Sequence, residues 1–88
     1  MRIASNGRGG AKLEGLVTVI GLGGLFIRTA KTQPLGTVLR LKLDGPAITF
    51  EAEFTVRNVS ENGMGVEITK ISPENEQRLK ALLFRLKV

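Results

Sequence analysis

Apolar and polar side chains alternate through the middle of this chain. Ile48, Phe50, Ala52, Phe54 and Val56 fall on one face of an extended segment, and Thr49, Glu51, Glu53, Thr55 and Arg57 on the other. That period of two belongs to a strand with one buried face. Just upstream, Leu39, Leu41 and Leu43 alternate with Arg40 and Lys42, so one face is again apolar and the other wet. Downstream, Met64, Val66 and Ile68 turn inward while Glu67 and Thr69 turn outward. Two earlier strands are expected, one running from Ala11 through the β-branched residues Val17, Thr18, Val19 and Ile20, the other over residues 25–29. Breakers separate these runs. Residues 21–24 read as a turn or bulge needing positive φ, Pro34 and Gly36 mark a loop, Asp44-Gly45 before Pro46 marks a tight turn, and Asn62-Gly63 suits left-handed backbone. Ahead of them lie a short opening segment, residues 2–5, and a flexible loop, residues 6–10.

At Ser72-Pro73-Glu74 the period changes to that of a helix. Ser72 is an N-cap, Pro73 takes the first helical position, and Glu74 and Glu76 suit the positive end of the helix dipole. Leu79, Leu82, Leu83 and Leu86 recur at i, i+3, i+4 and i+7, while Arg78, Lys80, Arg85 and Lys87 load the later turns with positive charge. A domain this small needs the buried area, so the stripe is expected to pack on the mouth or side of the sheet rather than on a partner's helix. Hairpin-spaced strands followed by one helix predict an all-β fold with a C-terminal α-helix, an antiparallel barrel or rolled sheet. The expected layout is one domain over residues 1–88, with an N-terminal segment at 1–10, strands over 11–71 and the helix over 72–86.

Composition mainly excludes. The chain has neither cysteine nor histidine, which removes serine- and cysteine-type triads and the ordinary zinc site. The 8 carboxylates fall in the pattern of exposed strand and helix faces, so no catalytic role is expected and no cofactor is implied. The longest apolar stretch is too short for a membrane span and is broken by glycine. No signal-type segment follows Met1, and a cytoplasmic protein without membrane insertion is expected. A net charge of +5 invites a phosphate-bearing partner or serves solubility alone, and both readings stay open.

Few features carry candidate chemistry. Gly21-Leu22-Gly23-Gly24 is not a dinucleotide fingerprint, because Phe26 stands where a third glycine is needed and a strand follows instead of a helix. Arg2 and Arg8 bracket the first loop and could hold a phosphate bidentately or simply be solvated. Stacking on single-stranded nucleic acid would need exposed aromatics. Phe50 and Phe54 are core-facing, Phe84 falls near the leucine stripe, and Phe26 alone is a candidate for exposure. Nucleic acid is therefore a poor fit as partner.

The order of these features resembles the PilZ domain, a bacterial six-stranded antiparallel β-barrel with a C-terminal helix that typically binds cyclic di-GMP. Three stretches carry the resemblance: residues 17–27, with their glycine turn leading into a hydrophobic strand; Pro34-Leu35-Gly36-Thr37 before an alternating strand; and Gly63-Met64-Gly65-Val66-Glu67-Ile68 leading through Ile71-Ser72-Pro73-Glu74 into the helix. The family's ligand motif, Asp/Asn-x-Ser-x-x-Gly, aligns on Gly24, which puts Val19 in place of the acidic or amide residue and Gly21 in place of serine. Neither side chain supplies a hydrogen bond. The family's Arg-x-x-x-Arg pair is also missing, since Arg2 and Arg8 are spaced too widely. If the nucleotide binds, Arg2, Arg8, Val19, Gly21, Gly24 and Arg28 mark the positions it would meet.

The resemblance therefore implies a signalling or adaptor module of the cyclic di-GMP pathway, serving motility, pilus or exopolysaccharide control. Its nucleotide binding is expected to be weak or lost, and it acts through an unidentified protein partner. Two alternatives stand beside it: a working cyclic di-GMP receptor, and a basic small barrel that binds nucleic acid. A partner surface should appear as an apolar patch near Phe26 or the C-terminal leucines. The start close to the first strand is compatible with one domain of a longer protein, and the residues leave the oligomeric state open.

Overall fold

The computed structural model describes residues 2–5, 15–45 and 48–86. Its elements are β1 (Arg2–Ser5), β2 (Leu16–Ile20), β3 (Gly24–Arg28), β4 (Val38–Asp44), β5 (Thr49–Ser60), β6 (Gly63–Lys70) and the helix α1 (Pro73–Leu86). Strands β2 to β6 form a curled antiparallel sheet, a half-barrel in the order β2-β3-β6-β5-β4. The short β1 lies between its two outer strands. It pairs with β4 from Arg2↔Asp44 to Ser5↔Leu41 but meets β2 only at Arg2↔Leu16. The six expected strands are present, but the barrel expectation is corrected in its balance: five strands carry the curled sheet, and the short β1 completes the ring order, meeting β2 at one pair among the described residues. Val17 to Ile20 of β2 have no β1 partner among the described residues.

Sequence neighbours are not always neighbours in the sheet. β3 pairs with β6, not with the following β4. The crossing between them turns at Pro34-Leu35-Gly36-Thr37, where the Thr37 N–H donates to the Pro34 carbonyl (3.1 Å) and Gly36 adopts φ +85°, as a type II turn requires. The crossing is tied down where the Gly36 N–H donates to the Val56 carbonyl (2.8 Å) and the Val56 N–H to the Thr37 carbonyl (2.9 Å).

The core follows the alternating pattern closely. Leu41, Leu43, Phe50, Ala52, Phe54, Val56, Met64 and Val66 are buried with Leu25 and Ile27, and Leu79 and Leu82 of α1 complete the cluster. Arg40 and Lys42 are exposed as the pattern requires. Thr55 keeps the outer parity but is buried, its hydroxyl donating to Thr69 Oγ1 at 3.1 Å. Helix α1 starts as expected. Ser72 Oγ accepts the Asn75 N–H (3.2 Å), the Asn75 side-chain amide donates to the same oxygen (2.8 Å), and Asn75 Oδ1 accepts the Glu51 N–H (2.9 Å). Asn75 thus joins the Ser72 cap to β5. Arg78 adds a bond to the Thr49 carbonyl (3.3 Å).

Two glycine turns work differently from the expectation. None of residues 21–24 has positive φ, and Gly63 lies in β6 rather than in a left-handed turn. Gly24 and Gly63 are required by close approach instead: a Cβ on Gly24 would collide with the Val66 carbonyl oxygen, and one on Gly63 with that of Ile27. The 6–10 loop, the Ala11 strand start, Pro46 and Lys87 lie outside the described residues.

Candidate functional site

The expected ligand positions separate into two groups. Arg28 is exposed at the end of β3 and stands in one cross-sheet row with Leu16 and Arg2, through Arg2↔Leu16 and Leu16↔Arg28. Val19, Gly21 and Gly24 lie toward the other end of β2 and β3. Four strand steps from Gly24 to Arg28 separate the groups by roughly 13 Å. Arg8 and the Arg2 side chain lie outside the described residues.

A β-bulge decides what Val19 does. β2 and β3 pair at Val17↔Ile27 and then at Val19↔Phe26, with Thr18 as the extra residue. Strict alternation would set Val19 on the same face as Val17; the inserted residue turns it outward instead. Val17 packs against the core, whereas Val19 is 66% exposed. At the turn itself, the Gly21 N–H donates to the Gly24 carbonyl and the Ile68 N–H to the Gly23 carbonyl, both at 2.9 Å. The Gly21 N–H is therefore already engaged. Of the expected ligand positions, Val19 offers an exposed isopropyl group and Gly21 no side chain.

The same turn meets the helix. Ile20, Gly21 and Leu22 line one wall of an open groove of about 390 Å³, and Lys80, Leu83 and Phe84 line the other. Leu22 is 61% exposed and Phe84 77%. This corrects the reading of the phenylalanines: Phe26 is only half-buried, and Phe84 is the exposed aromatic. The signal was present in the helical spacing. Five residues past Leu79, Phe84 sits about 140° around the helix and off the leucine stripe. Leu22 carried no comparable signal, because its neighbour across the groove is remote in sequence.

Charge on the sheet's outer face is mixed. Arg40 stands opposite Glu53, Lys42 opposite Glu51, and Glu53 opposite Lys70 in the register. Alternating signs across adjacent strands break up any continuous basic stripe of the kind that tracks a nucleic-acid backbone. Two smaller grooves beside α1 share this character, one lined by Lys42, Glu51, Glu74 and Arg78, the other by Arg40, Glu51 and Lys70. Among the described residues no group of three or more Asp or Glu is placed to hold a metal ion, and no helix is long and apolar enough to cross a membrane.

A search of the curated proteins finds no match. The family model described as the PilZ domain, in contrast, matches residues 3–85 of the 88. A match over nearly the whole chain joins the curled antiparallel sheet, the glycine turn after β2 and the C-terminal helix, and the chain belongs to the PilZ domain family.

Proposed function

We propose that this PilZ domain works mainly by protein contact, with cyclic di-GMP binding weak or lost. The family is one of cyclic di-GMP-related signalling, made of binding or adaptor domains. The observation that carries the reading is the β2–β3 turn. Its motif positions hold Val19 and Gly21, the Gly21 N–H is consumed by the Gly24 carbonyl, and the side chains it does present are apolar. Control of motility, pilus assembly or exopolysaccharide synthesis from the cytoplasm is the setting this reading favours, and no catalytic step belongs to it. A receptor reading draws on exposed Arg28 in one row with Arg2.

Each charge-assisted arginine–phosphate contact is worth about 1.5–3 kcal/mol, and every 1.4 kcal/mol is about tenfold in affinity. Without the paired arginines and the acidic or amide residue, affinity should drop by several powers of ten. Calorimetric titration with cyclic di-GMP should therefore give a dissociation constant on the order of 100 μM or weaker. Micromolar binding that disappears in Arg8→Ala or Arg28→Ala would establish the receptor reading instead. Binding to an oligonucleotide that weakens steeply with salt would favour the nucleic-acid alternative.

A further inference from the structure

We propose that the groove between the β2–β3 turn and the C-terminal half of α1 receives an acidic amphipathic segment of a partner protein, its apolar side chains seated between Leu22 and Phe84. The inference rests on the protein-contact reading and names the chemistry of the contact. Two observations point to this occupant, one apolar and one electrostatic.

The apolar observation is a continuous surface built from both chain segments. Leu22 and Phe84 stand out from opposite walls, and Ile20 and Leu83 form the floor side that joins the core. An aromatic at 77% exposure beside a leucine at 61% offers anchoring area of the kind that dominates protein contacts. The groove volume of about 390 Å³ falls in the range that accepts inserted groups.

The electrostatic observation fixes the partner's sign. No Asp or Glu occurs between Gly15 and Leu43, nor after Glu76, so neither wall of the groove contributes a carboxylate. Two acids on the flanking elements are already held by cations: Glu67, opposite Gly24 in the sheet, by Arg57 at 2.7 Å, and Glu76 by Lys80 at 3.3 Å. Lys80 lines the groove, and Arg85, next to Phe84, has no ion-pair partner among the described residues. The surface is apolar with a basic border. A second copy would bring that border against itself, adding like-charge repulsion to a chain already at +5. A segment with leucine or phenylalanine anchors flanked by Asp and Glu satisfies both observations.

The test uses two labelled peptides with identical leucines at i, i+3, i+4 and i+7, one carrying glutamate and the other lysine at the remaining positions. Fluorescence anisotropy should show the glutamate peptide binding and the lysine peptide at least tenfold weaker, with affinity falling as salt is raised. Leu22→Ser and Phe84→Ser should each weaken the glutamate peptide roughly tenfold. Leu35→Ser, at an equally exposed leucine in the β3–β4 crossing, should leave it unchanged. Circular dichroism would confirm that each variant is folded. Failure of the glutamate peptide to bind, equal binding of both peptides, or indifference to Phe84→Ser would overturn the proposal, as would sedimentation showing a dimer that Phe84→Ser dissociates. Tight cyclic di-GMP binding with peptide selectivity intact would support the groove while refuting loss of the nucleotide site.

Discussion

Glycine in this chain acts through space rather than through unusual backbone at most of the positions that matter. Gly63 has its Cα against the Ile27 carbonyl and Gly24 against that of Val66, while Gly23 has nothing within 4 Å of where a Cβ would go. Adding one methyl group should therefore give opposite outcomes along the same few residues. Gly63→Ala must push two hydrogen-bonded strands apart, and chemical denaturation should show a loss of about 1–3 kcal/mol or more. Gly23→Ala should stay within about 0.5 kcal/mol of the parent. Gly45 is an intermediate case, since its Cβ would meet Leu82 Cδ1 at 2.8 Å. There the obstacle is the end of a side chain, but one that is fully buried in the core.

At the scale of elements, the junction of α1 with the sheet depends on a very small polar network. Ser72 caps the helix, and Asn75 answers both the cap and the Glu51 N–H. Ser72→Ala should cost about 1 kcal/mol, as lost N-caps do. Asn75→Ala should cost about as much or more, because it removes the cap partner and leaves a strand N–H without its acceptor. The two changes share one network, so the double variant should lose less than the sum of the singles. A thermal or denaturant double-mutant cycle measures that coupling. The ion pairs on the helix, Glu74–Arg78 and Glu76–Lys80, are largely solvated, and their removal should matter little.

Over the whole molecule, the helix is part of the core as well as one wall of the groove. Leu79 and Leu82 are buried among residues from β3, β4, β5 and β6. Leu82→Ala should cost about 2–5 kcal/mol, a large share of the roughly 5–15 kcal/mol that stabilises a domain. Equilibrium unfolding should show helix and sheet melting together, and a helix that melts first would separate the two walls of the groove. The arrangement links stability to the proposed function: one helix face holds the fold together, and the adjacent exposed face carries Phe84.

Much of this was legible in residue order. Alternation identified β4, β5 and β6 and their buried faces, because burial on one side of a strand imposes a period of two. The shift at Ser72-Pro73 located the helix, because caps and prolines act locally. The motif departures at Val19 and Gly21 were also visible, since a missing hydrogen-bonding side chain is missing in any conformation. Other features needed the tertiary structure. Nothing local shows that β3 pairs with β6 across a crossing, because strand pairing is a contact between segments distant in sequence. The bulge at Thr18 breaks the period that would have turned Val19 inward, and a bulge is defined against a partner strand. Gly24 and Gly63 are demanded by carbonyls of other strands rather than by their own φ. The groove exists only because the β2–β3 turn and the last turns of α1 meet at one end of the sheet. Residue order alone determined the strands, the helix and the lack of hydrogen-bonding side chains at Val19 and Gly21; packing decided which apolar side chains were left facing solvent together.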